Sequence, residues 1–401
     1  METIQLTVSD ETLRDGEQQA GLFFEDEIKR FLAHQIAQTG VHQIAMMPAI
    51  HDVEEQLVKT LVAEGLDQQI AASTMMAREF IAQSYACGVR QIILFHAVSD
   101  RLLFLRDPDI HESSRYQGNP VDDTIPAAII SQIRQRMLAK VVQNLQYAQE
   151  LGLKISFAAE DASRADFDFL VECICTFKPY LEEFLLCDTV GVLTPEKTRC
   201  WIRKLLKCSD RAALTVHFHN DMGLALENTI QGVLAGATGI SGTFGGIGER
   251  AGNVALEQVL NGLRMRFGWE VAGINYDALA AVSNTLEQLG SRAYAPYSKQ
   301  AQRCEAGIHV ESMLRDRWSY SMLPYSEPEI WFGKYSGASN FQYLFEHYLQ
   351  QPLSRKQYDQ LRSQIKTLSI QHQRSFSTEE VLELLKQDIL KLENNEEDLQ
   401  Q

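Results

Sequence analysis

Eight short runs rich in β-branched and aromatic residues recur between residues 4 and 244, each followed by a longer stretch, and this alternation most constrains the fold. The runs are IQLTV (4–8), HQIAMM (42–47), QIAAST (69–74), RQIILFHA (90–97), LKISFAA (153–159), EEFLLCD (182–188), AALTVHFH (212–219) and TGISGTF (238–244). Intervening segments such as EDEIKRFLAHQIAQTG and PAAIISQIRQRMLAKVVQNLQYAQELG place apolar residues at three- and four-residue spacing, the period of a helix. Three of these helices end at Gly40, Gly88 and Gly152, just before the next strand. Eight strand–helix units in roughly 270 residues have the rhythm of a TIM (β/α)8 barrel, an α/β fold. A doubly wound open sheet would carry a glycine-rich turn after its first strand, and SDETLRDGEQ is not one.

From about residue 271 the strand signal fades into helical, polar sequence (DALAAVSNTLEQLG, SRKQYDQLRSQIKTL, STEEVLELLKQDILKL) that ends in the acidic ENNEEDLQQ. The expected organisation is a catalytic barrel over residues 1–270 and a C-terminal helical region over 271–401. A formal net charge of −16 argues against a nucleic-acid partner, which requires a basic surface. Seven cysteines occur singly, with no CxxC pair, as expected of reduced thiols in the cytoplasm. No basic segment precedes an apolar run at the N-terminus, and no apolar stretch approaches a membrane span, so a cytoplasmic protein without a membrane partner is expected.

In a TIM barrel the C-terminal strand ends form the active face, so polar residues there are candidates for function. Arg14 and Asp15 follow the first strand. HFHND closes the seventh: alternation puts His217 and His219 on one face, their Cα atoms roughly 6.6 Å apart, a usable spacing for two imidazoles on one metal. With Asp15 as an oxygen donor the set suits Zn, Mn or Mg. FAAEDASRAD ends the fifth strand with Glu160 and Asp161, either an acid/base group or a helix cap. Thr189 lies beyond the sixth strand, as a substrate donor or a turn residue. GTFGGIGERAGN (242–253) holds G-x-G-x-x-A spacing, but it comes late in the chain and reads better as a backbone-rich loop over the barrel, where such folds often bind phosphate.

Together, DETLRDGEQ, AEDASRAD, DTVGV, HFHND, GIGERAGN, EAGIHVE and GKYSG resemble the metal-dependent, Claisen-condensing TIM-barrel family of 2-isopropylmalate, citramalate and homocitrate synthases, with nitrogen-fixation-type homocitrate synthases closest in look. The resemblance implies one divalent metal held by Asp15, His217, His219 and Asn253, with acetyl-CoA and a 2-oxo acid as small-molecule substrates. It implies that Arg14 stabilises the developing alkoxide, that Gln18, Glu160 and Thr189 position the substrate, and that His309 and Tyr320 form an acid/base pair. In the family that pair is commonly lent by the other subunit of a homodimer.

The chain departs from the family where the 2-oxo acid side chain is read. Ala45, Met46 and Met47 stand where a Glu is usual, Met75 where an Arg is usual, and Leu102 where a His often sits; GKHSG reads GKYSG, with Tyr335. Methionine suits an irregular apolar or aromatic side chain, so an apolar 2-oxo acid is expected, with Arg101 and Arg106 as the cations that would rescue a dicarboxylic one. A hydroxymethylglutaryl-CoA-type lyase would carry a Cys in the glycine loop, and residues 242–253 contain none. A metal-dependent hydrolase would need further His or Asp ligands at strand ends. A non-catalytic binding protein would have no need of four retained ligands beside Arg14.

Overall fold

The computed structural model describes residues 1–107, 109, 125–316, 318–321 and 328–392; the acidic segment ENNEEDLQQ lies outside them. The first apolar run serves two strands. β1 (Glu2–Ile4) pairs in parallel with β10 (Trp269–Val271), and only after Gln5 and Leu6 does β2 (Thr7–Asp10) enter the barrel. This corrects the expected single strand over 4–8. The run is long enough to brace the end of the barrel sequence before it joins the main sheet.

The closed barrel continues through β3 (Gln43–Met46), β4 (Ile70–Met75), β5 (Gln91–Ala97), β6 (Lys154–Glu160), β7 (Glu183–Asp188), β8 (Leu214–Phe218) and β9 (Gly239–Gly242), all parallel. Closure is by β2 on β9, from Thr7 opposite Gly239 to Asp10 opposite Gly242. The first and seventh barrel strands, β2 and β8, flank β9.

Inside the barrel, Ala45, Ala71, Ile93, Ala158, Leu185 and Cys187 form a cluster of their own against Phe95. The larger apolar faces point outward onto the helices, as in Ile44, Ile70, Ile92, Phe157, Leu186 and Ile240, all at most 1 % exposed. That two-sided burial explains why the strands read as continuous apolar runs rather than alternating ones. At Gly40, which follows the helix Asp26–Ala37, φ is +79° and an added Cβ would lie 2.0 Å from the Gly273 carbonyl oxygen, so the turn needs glycine.

Beyond β10 the chain is mainly helical: Tyr276–Gln288, Gly307–Met313, Ala338–Tyr343, Arg355–His372 and Thr378–Lys386, with β11 (Arg303–Cys304) and β12 (Glu329–Ile330) as a small parallel pair. The linker crosses its own barrel, where the Gln19 amide donates to the Arg292 carbonyl (3.1 Å) and the Tyr294 hydroxyl to the Ala20 carbonyl (3.1 Å). The helical region thereby covers the C-terminal mouth of the barrel.

Candidate active site

Three ligand atoms converge at the mouth. Asp15 Oδ2 lies 3.6 Å from His217 Nε2 and 3.7 Å from His219 Nε2, and all three residues are at most 5 % exposed. The two imidazoles project from one side of β8, as strand alternation requires, with ring centroids 5.2 Å apart. His217 Nδ1 is 3.0 Å from Ser241 Oγ on β9, which fixes the ring and turns Nε2 inward. Burial disfavours the ionised form of Asp15, but His219, Arg14 and His217 outweigh it and hold the carboxyl well below the usual range. Burial, aided by Arg250 and His217, pushes His219 well below the ordinary imidazole value. One carboxylate and two imidazoles, at least one of them held neutral, form a donor set that fits a divalent ion.

Asn253 completes the surround. Its Nδ2 donates to Asp15 Oδ1 (2.8 Å), while its Oδ1 is buried with no hydrogen-bond partner among the described residues. An open acceptor beside two imidazoles is what a cation would satisfy. Gly248 makes this approach feasible: a Cβ there would sit 2.3 Å from Asn253 Nδ2 and 2.8 Å from Asp15 Oδ1, at φ +143°. The glycine loop is therefore a close-packed wall of the metal cluster. Three of its amides are engaged within the protein, Gly245 N on Glu257, Gly248 N on Gln19 and Gly252 N on the Glu249 carbonyl.

Arg14 is held over the cluster by Glu11 (Nε–Oε2 2.7 Å), Asp15 (3.2 Å) and the Gln18 side chain (3.3 Å). None of these bonds uses Nη2, and Arg14 lines the cavity. On the facing wall, Glu160 ends β6 and takes both Arg106 nitrogens (2.5 and 2.9 Å) together with the Tyr320 hydroxyl. Burial opposes its charge, but Arg106, His309 and Tyr320 bring the carboxyl down to about 2. His309 stacks on Tyr320 at 3.8 Å between centroids, sits 4.0 Å from Glu160 through Nε2, and meets Glu249 at 3.0 Å through Nδ1. The helix Gly307–Met313 and the turn after it bring this pair to Glu160. Thr189 Oγ1 accepts from the Asp161 amide (2.8 Å), which leaves its proton for the cavity. Asp161 itself binds Ser99 and Arg164 and serves structure.

Arg14, Asp15, Glu160, Thr189, His217, His219, Glu249 and His309 line one cavity of about 860 Å³. Gln18, Met47 and Met75 line it too, with Ile93, Phe95 and Leu185. Met46 and Leu102, expected near the substrate, are instead fully buried in the outer core, and Ala45 lies within the barrel interior. Arg101 and Arg106 are engaged by Asp316 and Glu160, so neither is held for a substrate carboxylate. Glu249 had no role assigned from sequence although it sits in GIGERAGN; only the fold brings it to His309.

The HMGL-like family profile matches residues 5–109 and 124–286. A homocitrate synthase of Methanothermobacter thermautotrophicus is 31 % identical over 355 residues, covering 86 % of this chain and 84 % of that protein. A 2-isopropylmalate synthase of Sulfolobus acidocaldarius is 32 % identical over 354 residues, with 85 % of each covered. Among solved structures, the HMG-CoA lyase of Brucella melitensis superposes with a TM-score of 0.55 at 17 % identity, over 72 % of this chain and 99 % of that one, which establishes the shared fold. No helix among the described residues is long and apolar enough to cross a membrane. With its closed barrel, its clustered Asp15, His217 and His219, and these relatives, the chain belongs to the HMGL-like family.

Proposed function

We propose that this protein is an acyltransferase that condenses acetyl-CoA with an apolar 2-oxo acid and then hydrolyses the thioester, releasing coenzyme A and a 2-substituted malate. The observation that carries this reading is one cavity with the Asp15–His217–His219 cluster and Arg14 on one wall and Glu160 and His309 on the other, with Tyr320 stacked on His309. The relatives named as synthases of this reaction class support it.

A divalent ion on Asp15, His217 and His219, with Asn253 beside them, would polarise the keto group as a Lewis acid. Arg14 donates to the oxygen that gains charge as the methyl carbon of the thioester bonds to the keto carbon. A carboxylate held near 2 is a poor base at neutral pH, so Glu160 orients the acid/base pair and His309 exchanges the proton, with Tyr320 beside it. Gln18, bonded to Arg14, and Thr189, bonded to the Asp161 amide beside Glu160, hold the substrate from two sides. Water then cleaves the thioester, and the thiol leaves with a proton.

The side-chain end of the pocket is formed by Met47, Met75, Ile93, Phe95 and Leu185, with Ser73 the polar group among them. A distal carboxylate buried there without a cation would cost several kcal/mol. Phenylpyruvate, giving 2-benzylmalate, and 2-oxoisovalerate, giving 2-isopropylmalate, are the leading substrates. Thiol release from acetyl-CoA across a panel of 2-oxo acids tests this. Preference over 2-oxoglutarate of at least about tenfold in kcat/KM is expected, equivalent to about 1.4 kcal/mol. A higher value for 2-oxoglutarate than for every apolar acid would leave homocitrate synthesis in its place.

A further inference from the structure

The cavity is far larger than a 2-oxo acid needs, and its outer wall differs in character from its barrel end. The helix Arg355–His372 turns Arg355, Asp359, Arg362 and Lys366 toward it, at intervals of four, three and four residues, which places them on one face. The fully buried face of this helix is Tyr358, Leu361, Ile365 and Ser369; beside it three cations over twelve residues, roughly 16 Å of helix, line the cavity, Arg355 exposed and Arg362 and Lys366 half-buried. Arg315 lines the same wall and donates to the Leu105 carbonyl.

The counter-charges are few. Asp359 pairs with Arg362 (3.0 Å), Glu346 accepts from the Tyr358 hydroxyl (3.3 Å), and Glu311 stands exposed at the rim. Lys366 is half-buried, donates to the Ile50 carbonyl (3.0 Å), and forms no ion pair among the described residues. Burial, reinforced by Arg362 and opposed by Glu305, pushes its ammonium down to about 8.

We infer that Lys366, Arg362, Arg355 and Arg315 form a phosphate-binding stripe that receives the nucleotide end of the coenzyme A thioester, whose pyrophosphate and 3′-phosphate are spaced anions. This rests on the thioester-condensing reading above. A single substrate carboxylate would engage one cation; a stripe this long matches a polyanion, with Lys366 nearest the barrel and Arg355 at the solvent edge. Nothing in the sequence pattern alone separates this face from an ordinary solvated one.

The test compares acetyl-CoA with S-acetyl-N-acetylcysteamine, a thioester lacking the nucleotide, in wild type, Lys366→Met and the Arg355→Ala/Arg362→Ala pair. Both variants are expected to lower the ratio of kcat/KM for acetyl-CoA over the short thioester at least tenfold, through the acetyl-CoA KM. Calorimetry with adenosine 3′,5′-bisphosphate should show binding to wild type that weakens at least tenfold in both. An unchanged ratio, or equal losses with both thioesters, would overturn the stripe. So would a variant that alters the preference between 2-oxoglutarate and phenylpyruvate at constant acetyl-CoA KM, since the anion would then be the substrate's own carboxylate. If wild type releases thiol from neither thioester with any 2-oxo acid, the condensing reading fails, while bisphosphate binding still decides the stripe.

Discussion

At the scale of single residues, the site depends on groups that are buried yet charged, and each is held so by a named neighbour. Arg14 is kept over Asp15 by Glu11, so replacing it should leave the metal cluster standing and remove one donor to the developing oxyanion. Arg14→Gln is expected to lower kcat by about 10²–10³ with metal content unchanged, measured by steady-state kinetics beside elemental analysis. His219→Ala removes one of two imidazoles and should drop bound divalent metal well below one per chain. Chelator should abolish turnover in wild type, and full activity in metal-free protein would refute the assignment of Asp15, His217 and His219. HFHND and DETLRDGEQ made these residues legible because strand periodicity alone puts both histidines on one side. Glu249, Lys366 and Arg315 were not legible, since each reaches the cavity from an element whose placement no local pattern records.

At the scale of elements, the C-terminal region is joined to the barrel by a buried cluster of charges. Lys334 binds Glu17 (2.6 Å) and Glu54 (2.7 Å), Lys29 binds the same two carboxylates (2.7 Å each), and no side chain of the four is more than 4 % exposed. The Tyr335 hydroxyl donates to Glu17 (2.9 Å), so GKYSG is tied to the loop that carries Arg14, Asp15 and Gln18. Two positive and two negative charges cancel only when the region is docked. Lys334→Met should therefore destabilise the protein by about 3–5 kcal/mol, because it leaves an uncompensated carboxylate in the interior. Adding Glu54→Gln restores neutrality, and the double variant should be more stable than Lys334→Met alone in a denaturation cycle. The tyrosine in GKYSG stood out in the sequence as a departure from the family; its bond to Glu17 did not.

At the scale of the whole molecule, a buried carboxyl at the junction should make stability depend on pH. Glu305, which accepts from Ser375 (2.5 Å) and the Tyr335 amide (3.2 Å), is raised to about 7, chiefly by burial. A carboxyl whose folded value lies above its unfolded one stabilises the fold below the unfolded value, and that contribution is lost as pH rises through the folded one. The window runs from about 4.5 to 7, and the loss is on the order of 3 kcal/mol. Tm is expected to fall between pH 5.5 and 8, and Glu305→Gln should show a smaller fall. An identical pH profile in the variant would mean that other groups set it.

The sequence by itself determined the barrel, because eight apolar runs separated by helical periods have few other ways to bury both faces of a parallel sheet. It also put His217 and His219 on one side of their strand, since two residues two apart on a strand must share a side. The tertiary structure alone decided that the first run divides between two sheets, that β9 stands between the strands bearing Asp15 and the histidines, and that Met46 and Leu102 face the core while Met47 and Met75 face the cavity. It alone brought Lys334 to Glu17 and Lys366 to Ile50, across more than 300 residues of chain in each case. Periodicity reports which side of its own element a residue occupies; which element lies opposite is settled only when the barrel closes and the C-terminal region docks on it.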